Sequence, residues 1–426
     1  MLDYAEQLKY KKGVVERAFK NFSQLPPELV PTIGDTIGSP LQYGYRTKLT
    51  PHFDGPPGYH KKGAARKPLD HRPDIGFMLK GTRKTMDIED CPIGTDAVRK
   101  GMKAERERME REYGQYKRGA TILLRESTQR VYKDGRTVGT AATEEDVEKA
   151  KAQDPVVVET DAYTDYKTCV TDGTATSTEY IDDFVFYNPA GSFFQNNNSI
   201  LSTFTDYIRQ HILPPSPSPA DPAAPKIKNL IDAYSGSGLF TITLSSLFAG
   251  HATGIDIADA SIAFARRNAS ANGRPEAQTN FIAADAGQLF KSVRANKGEY
   301  HPDETVVVLD PPRKGCDASF LSQLMQFGPR RIVYVSCNVH TQARDIGCLV
   351  RGNTKSMETT TTTTGASGEG AGSSDVGSGG GARYEMESLR GFDFFPQSAH
   401  VEGVAVLNRV DDVAAPASSL KGYGEN

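Results

Sequence analysis

The chain has 426 residues, of which 24% are charged and 38% hydrophobic, and its formal net charge is −3. This length predicts two or three domains with substantial cores. No apolar run approaches the ~20 residues of a membrane helix, and the N-terminus shows no secretory signal. The five cysteines are scattered and form no CxxC pair, which argues against a disulfide framework or a zinc ribbon. We therefore expect a soluble intracellular protein with no membrane segment, metal site or iron–sulphur cluster.

Charge is unevenly distributed over the first half of the chain. Residues 60–118 contain 16 Lys and Arg against 10 Asp and Glu, whereas residues 136–183 contain 4 against 12. The alternating signs over 102–116 are typical of a solvent-exposed helix. The basic, glycine-containing loop 59–67 is the better candidate for contact with phosphate groups.

Two segments of biased composition interrupt the second half. Residues 213–226 are rich in Pro, Ser and Ala and predict an extended surface linker. Residues 357–382 contain six consecutive Thr and a Gly/Ser run, which predicts a disordered insertion because almost nothing in it can be buried.

Short β-branched runs alternate with helical stretches from residue 229 onwards. Strands are predicted at 229–234, 252–256, 280–285, 305–310 and 331–336, with helices at 239–248 and 260–271. Continuous apolar strands separated by helices predict a parallel sheet covered on both faces. The last two runs, 384–390 and 401–407, have no helix between them and predict an antiparallel pair. The fold class is therefore a doubly wound α/β domain.

A glycine-rich turn follows the first of these strands. Gly236 and Gly238 allow a tight backbone turn and close approach to a ligand, and Asp256 ends the next strand, where a carboxylate can bind both ribose hydroxyls. The pattern fits a dinucleotide or S-adenosylmethionine, although Thr241 stands where a dinucleotide site has its third glycine. A purely structural βαβ unit is the alternative interpretation.

The fourth strand ends in a motif that favours one of these ligands. Asp310 is followed by two prolines and Arg313, which predicts a rigid shelf at the crevice where doubly wound sheets bind ligands. Methyltransferases that act on planar bases use such a shelf, whereas nicotinamide enzymes have no need of it. The motif therefore favours S-adenosylmethionine.

Cys337 is the candidate nucleophile because it follows the fifth strand at this crevice. Polar neighbours, a helix starting near Thr341, and His340 and Arg344 nearby are expected to favour a thiolate. The alternatives are a small buried hydrophobe or Cys316 as the nucleophile. A thiolate can add to carbon 6 of a pyrimidine and activate carbon 5 for methylation.

Glu402 is the candidate general base that this chemistry requires, since carbon 5 must then lose its proton. It lies at the start of the last strand, beside an apolar run, and burial is expected to raise its pKa. The alternative is a salt-bridge partner on an edge strand.

Together these segments resemble the RNA 5-methyluridine methyltransferase family, and the tRNA (uracil-5-)-methyltransferases in particular. The resemblance rests on the opening helix, the FFQ-x-N motif at 193–197, DPPR-x-G at 310–315, SCN at 336–338 and HVE at 400–402. It implies that S-adenosyl-L-methionine contacts four side chains, namely Gln195, Tyr234, Asp256 and Asp310. It also implies that Cys337 is the nucleophile and Glu402 the proton acceptor. No part of the chain matches the small β-barrel module that commonly precedes this region.

The resemblance implies a class I methyltransferase domain with a Rossmann-like fold over residues 191–426. Residues 1–190 would supply the N-terminal helix and a smaller, RNA-contacting α+β domain. We expect a monomer that makes 5-methyluridine in the tRNA T-loop, at position 54. Ribosomal RNA or cytosine as the substrate, or an inactive tRNA-binding folding factor, are the alternatives.

Overall fold

The computed structural model describes residues 2–56, 67–136, 144–214, 226–285, 300–358 and 381–411. Most of the predicted basic loop 59–67, of the linker 213–226 and of the insertion 357–382 lies outside these residues. Within them, no helix has both the length and the apolarity that crossing a membrane requires. No cluster of three or more metal-ligating side chains occurs in the same ranges.

An eight-stranded mixed sheet forms the larger part of the fold. Its strands, in chain order, are β1 (Gly34–Ile37), β12 (Asn229–Ala233), β13 (Ala252–Asp256), β14 (Thr279–Ala283), β15 (Thr305–Leu309), β16 (Arg331–Ser336), β17 (Tyr384–Phe392) and β18 (Glu402–Arg409). Across the sheet they run β1-β17-β18-β16-β15-β12-β13-β14. The five strands from β16 to β14 are parallel, and β18 is antiparallel to both of its neighbours.

Helices cover both faces of this sheet, as the uninterrupted apolar strands predict. The helices of one face are α1 (Tyr4–Phe22), α7 (Ala318–Phe327) and α8 (Val339–Arg351), and those of the other are α4 (Leu201–His211), α5 (Leu239–Leu244) and α6 (Asp259–Ala271). Strand β15 shows the alternation: Val307 packs into the first core, whereas Val306 and Val308 pack into the second. The doubly wound sheet and the final antiparallel pair are therefore confirmed.

The opening part of the chain joins this sheet, which the sequence analysis does not anticipate. Strand β1 pairs in parallel with β17 at the edge of the sheet, and α1 packs against α8 and β1. A strand of only four residues with a single buried side chain gives almost no periodic signal. The hydrogen bonding therefore groups residues 4–37 with the C-terminal part of the chain, while the division into domains at residue 190 stays a prediction.

The residues between β1 and β12 form two four-stranded sheets and a separate hairpin. One sheet contains β2 (Lys48–Leu49), β7 (Leu124–Tyr132), β8 (Val156–Glu159) and β9 (Tyr163–Val170), and the other contains β3 (His52–Phe53), β4 (Gly76–Met78), β5 (Thr85–Asp87) and β6 (Ala120–Thr121). The hairpin consists of β10 (Thr176–Ile181) and β11 (Phe184–Pro189). Two helices accompany them, α2 (Asp96–Glu112) and α3 (Glu144–Ala152), and α9 (Lys355–Glu358) is a single turn further along the chain.

Helix α2 starts earlier than the charge pattern predicts, and it is not exposed on all sides. It begins at Asp96 because the Thr95 side chain accepts a hydrogen bond from the backbone of Val98. Val98, Met102 and Met109 are buried in the core of the two small sheets. The charged residues between them therefore mark only the outer face of the helix.

Candidate active site

The candidate nucleophile and base are brought together by the strand pairing. Cys337 follows the last residue of β16, and Glu402 is the first residue of β18. These strands are antiparallel, with Ser336 opposite Gly403. Cys337 and Glu402 therefore lie at the same edge of the sheet on neighbouring strands, where parallel β12, β13 and β15 also end.

The glycine turn lies at this edge and is fixed by Asp256. The backbone has positive φ at Tyr234 (66°), Gly236 (54°) and Gly238 (92°). One carboxylate oxygen of Asp256 accepts the Gly236 amide at 3.0 Å, and the other accepts the Ala258 amide at 2.8 Å. A Cβ at Gly238 would come within 3.0–3.2 Å of neighbouring side chains, whereas the space beside Gly236 is open for at least 4 Å. Asp256 therefore holds the turn rigid, and the side of the turn at Gly236 is open.

Two carboxyl groups flank the turn, the buried Asp232 and the half-buried Asp310. Asp232, inside β12, accepts hydrogen bonds from the backbone and hydroxyl of Thr241 at 2.9 and 2.7 Å through one oxygen. Its other oxygen has no hydrogen-bond partner among the described residues. Burial raises the pKa of Asp232 to about 7, and burial together with the charge of Asp232 raises the pKa of Asp310 to about 7. The sequence analysis missed Asp232, although an acid inside an apolar strand was its visible signal.

The thiol of Cys337 has a different environment from the expected one. Burial, and then the charge of Glu402, raise its pKa to about 11, and a hydrogen bond from the Arg313 guanidinium opposes this shift. His340 is exposed, with its ring edge against Phe22 at a centroid distance of 5.1 Å. The thiol in this structure is therefore protonated at neutral pH, and Arg313 is the cation that favours its ionisation.

Glu402 is a buried carboxyl group without a local partner. It is only 1% exposed, and neither carboxyl oxygen has a hydrogen-bond partner among the described residues. Burial, and then the charge of Asp310, raise its pKa well above its usual range, while Arg313 lowers it. Because buried polar groups are ordinarily satisfied, such a group indicates a site whose partner arrives with a ligand.

Helix α8 holds the loop that carries Arg313. The side-chain amide of Asn338 and the Thr341 hydroxyl donate to the Arg313 carbonyl at 2.8 and 3.2 Å. Arg344, which was expected to favour the thiolate, instead binds Asp345 and donates to the Cys316 carbonyl at 3.1 Å. The role of Arg344 is thus to fix the loop backbone.

The other cysteine considered for catalysis lies behind this loop. Cys316 is 2% exposed, and its Sγ lies 3.7 Å from the Tyr334 hydroxyl. Tyr334 in turn donates to Asp345 at 2.6 Å, and burial raises the pKa of the Cys316 thiol above its usual range. These contacts fit a structural side chain better than a nucleophile.

Gln195 lies in a segment between the small sheets and the large one. It is 7% exposed, next to buried Phe194, whereas Phe193 is 74% exposed. The Asn196 side chain accepts a hydrogen bond from Arg125 at 3.1 Å, and Arg125 forms a buried ion pair with Glu179. This network fixes the residue that directly follows Gln195.

The chain is similar to known proteins over most of its length. The family model described as tRNA (Uracil-5-)-methyltransferase matches residues 183–359. The chain is 41% identical to the tRNA (uracil(54)-C(5))-methyltransferase of Schizosaccharomyces pombe, over 96% of this chain and 63% of that protein. It is 38% identical to the Saccharomyces cerevisiae protein of the same name, over 96% of this chain and 60% of that protein. The chain thus spans about three fifths of the length of these relatives.

A solved structure shares the fold. The crystal structure of Pyrococcus abyssi tRNA (uracil-54, C5)-methyltransferase in complex with S-adenosyl-L-homocysteine matches with a TM-score of 0.57. The match covers 95% of this chain and 84% of that one, at 21% sequence identity. The class I, Rossmann-like fold with a mixed sheet is therefore common to both.

Proposed function

We propose that the chain is a member of the tRNA (uracil-5-)-methyltransferase family, which its similarity to the fungal proteins supports, and that it methylates carbon 5 of uridine 54 in tRNA. The methyl donor is S-adenosyl-L-methionine. The observation that carries the proposal is the pair of neighbouring strand ends that bring a thiol, Cys337, and an unpartnered buried carboxyl, Glu402, to one edge of the sheet. We further propose that the protein acts as a monomer without a bound metal ion.

The residues at the crevice fit the methyl donor. Gly236 and Gly238 would accept its amino-acid part along the open side of the turn, and Asp256 would accept hydrogen bonds from the ribose hydroxyls. Burial raises the pKa values of Asp232 and Asp310, and the charge of Asp232 adds to the shift at Asp310, so a positively charged sulfonium group would suit this position. Gln195 and Tyr234 would complete the site. When bound, this donor supplies an electrophilic methyl group.

Cys337 and Arg313 perform the first step on the RNA. The target uridine must leave its stack to reach the crevice. The thiolate of Cys337 adds to carbon 6, forming a carbon–sulphur bond and moving an electron pair onto carbon 5 and the neighbouring carbonyl oxygen. Carbon 5 would then form a bond to the methyl group as the bond between methyl and donor sulphur breaks, which leaves S-adenosyl-L-homocysteine. Arg313 favours the ionised thiol that begins this sequence.

Glu402 completes the reaction. Its carboxylate takes the proton from the methylated carbon 5, the ring double bond re-forms, and the carbon–sulphur bond breaks to release Cys337. A carboxyl group whose pKa is raised is a stronger base than one in water, which suits it to a carbon acid. Because Glu402 has no described hydrogen-bond partner, its oxygens are available for this proton.

Methylation of an unmodified tRNA transcript tests the proposal. With S-adenosylmethionine as donor, we expect nucleoside mass spectrometry to detect 5-methyluridine, which disappears when uridine 54 is replaced by cytidine. A product that persists after this replacement would contradict the site. Methylation of ribosomal RNA fragments alone would indicate a ribosomal enzyme, and tRNA binding without any methylation would indicate an inactive folding factor.

The pH dependence of Cys337 alkylation tests the role of Arg313. Since the thiol pKa is raised to about 11, its thiolate fraction, and hence its rate of alkylation by iodoacetamide, should rise about tenfold per unit between pH 7 and 9. Removing the guanidinium with Arg313→Gln should raise this pKa further and slow alkylation at pH 8 by about three- to tenfold. Peptide mass spectrometry measures the rate at Cys337 alone.

The neighbouring variant Lys314→Gln is the matched control, because Lys314 is equally exposed and the pKa of Cys337 has no contribution from it among its main causes. Its alkylation rate should equal that of the wild type. Alkylation that is independent of pH over this range, or faster in Arg313→Gln, would contradict the role.

We propose that the hairpin of β4 and β5 contacts the tRNA. Its tip, residues 79–84, is exposed and contains Lys80, Arg83 and Lys84 without an acidic residue. None of the three cations has an ion-pair partner in the described part of the chain, and a backbone hydrogen bond of 2.9 Å from Leu79 to Lys84 closes the turn. An ordered, unneutralised tip of this kind fits RNA phosphate groups.

Neutralising this tip with Lys80→Gln, Arg83→Gln and Lys84→Gln together should weaken tRNA binding by about 10–100-fold near physiological salt. The slope of log K against log salt should become shallower by about 2–3, because three phosphate contacts are lost. Filter binding across a salt series measures both quantities. Replacing three other exposed lysines, Lys133, Lys149 and Lys151, should leave the slope unchanged; equal effects in the two triple variants would contradict a specific contact.

A further inference from the structure

A buried ion pair connects the first helix to the turn that precedes Glu402. Lys11 of α1 pairs with Asp393, and both side chains are fully buried. The same ammonium group donates to the Phe395 carbonyl at 2.9 Å. Helix α1 therefore reaches across the sheet edge and holds residues 393–395 by two polar contacts.

These residues begin the turn that leads directly to the candidate base. Phe392, the last residue of β17, pairs with Glu402, the first residue of β18. Asp393 follows at once: its amide donates to the Ile37 carbonyl at 2.8 Å, and its carboxylate accepts the Phe395 amide at 3.1 Å. The ion pair thus fixes the backbone where the turn leaves the sheet, directly across from Glu402.

Further contacts from the N-terminal part of the chain hold the middle of the turn. The Gln7 side chain donates to the Gln397 side chain at 3.1 Å, and the backbone amide of Gln397 donates to Oε1 of Gln7 at 3.1 Å. The Tyr45 hydroxyl donates to the Pro396 carbonyl at 3.0 Å. The turn is thus joined to the N-terminal residues at several points by polar groups.

Apolar packing against the turn is incomplete on its outer side. A cleft of about 250 Å³ lies between α1 and the turn, and its lining residues are Leu2, Gln7, Tyr10, Gln397, Ser398 and Ala399. On this open side, hydrogen bonds and the buried ion pair hold the turn, while on its inner side Phe394 is buried against Phe204.

The position of Glu402 depends on this backbone, because its carboxyl group has no hydrogen-bond partner among the described residues. On the C-terminal side of Glu402, the side-chain amide of Gln342 donates to the Gly403 carbonyl at 3.0 Å and to the Tyr334 carbonyl at 2.8 Å. These two bonds join β18 to β16. On the N-terminal side of Glu402, the ion pair of Lys11 and Asp393 fixes the backbone by holding the turn.

We propose that Lys11 and Asp393 are positioning residues for Glu402, and that their ion pair aligns its carboxylate with the proton on carbon 5. This inference rests on the proposed function, in which Glu402 acts after the methyl group has been transferred. Loss of the pair should therefore slow the last step and spare the earlier ones, since small displacements of a reacting group cost up to about 100-fold in rate.

The test compares Lys11→Met with the wild type on unmodified tRNA. We expect steady-state turnover to fall by about 10–100-fold, while single-turnover methyl incorporation stays within about threefold. The covalent protein–RNA adduct, seen as a shifted band in denaturing electrophoresis, should rise at least tenfold in abundance. Lys12→Met is the matched control, because Lys12 is the next residue of α1 and makes an exposed ion pair with Asp35.

In Lys11→Met the Asp393 carboxylate is left as a lone buried charge, which disfavours folding. The double variant Lys11→Met with Asp393→Leu avoids that charge. It leaves no unpaired charge but removes the contacts to the turn, so we expect the same accumulation of adduct. A lower melting temperature with normal turnover and no adduct, or equal slowing of both steps, would overturn the inference. Absence of 5-methyluridine with the wild type would instead contradict the proposed function.

Discussion

Replacing Cys337 by alanine is expected to abolish methyl transfer, with a rate below about one ten-thousandth of the wild-type value. The physical reason is that carbon 5 of uridine is too weak a nucleophile until a thiolate adds to carbon 6. Cys337 lies at the strand end next to Glu402 and receives a hydrogen bond from Arg313. Incorporation of radiolabelled methyl groups into the tRNA transcript under single-turnover conditions measures this rate.

Two controls separate loss of the nucleophile from loss of the site. S-adenosylmethionine binding, followed by calorimetry, should be retained in Cys337→Ala, because the glycine turn and Asp256 hold one another through backbone contacts that do not involve the thiol. Cys316→Ala should retain methyl transfer, since the Cys316 thiol is buried against Tyr334. Normal turnover by Cys337→Ala, or its loss only in Cys316→Ala, would contradict the assignment.

The sheet was largely predictable because its signals are local. Strands β13 and β16 have the predicted bounds, and β15 ends one residue earlier than predicted. The agreement is close because an apolar run between two helices can form few structures other than a strand. The carboxyl ends of parallel strands meet at one edge, so strand order predicted that Asp256, Asp310 and Cys337 would lie there, while their roles stay predictions.

Several missed features depend on contacts between residues far apart in the chain. Strand β1 acquires its partner from β17, more than three hundred residues later. Lys11 is set among other lysines of α1, and only the fold buries it against Asp393. Likewise, sequence proximity suggested His340 as the neighbour of the thiol, whereas the loop held by α8 places Arg313 there.

Replacing Glu402 by glutamine is expected to trap the covalent RNA adduct rather than to prevent its formation. The substitution keeps the size of the buried side chain but removes the base, so the carbon–sulphur bond forms and the methyl group is transferred, while the proton stays on carbon 5. Turnover should fall by about 10²–10⁴-fold, the usual contribution of a positioned general base. Denaturing electrophoresis should show protein and RNA in one shifted band, and mass spectrometry should find the methyl group in it.

The pH dependence of the adduct is a further test of the role of Glu402. Burial and the charge of Asp310 raise its pKa well above the usual range, so the wild-type carboxyl group is protonated at low pH and ionises as the pH rises. Adduct that has already formed should therefore decay more slowly in the wild type when the pH is lowered and faster when it is raised, whereas the adduct of Glu402→Gln should persist throughout. Free turnover by Glu402→Gln without a shifted band would remove Glu402 from the mechanism, because a different group would then have to accept the proton at carbon 5.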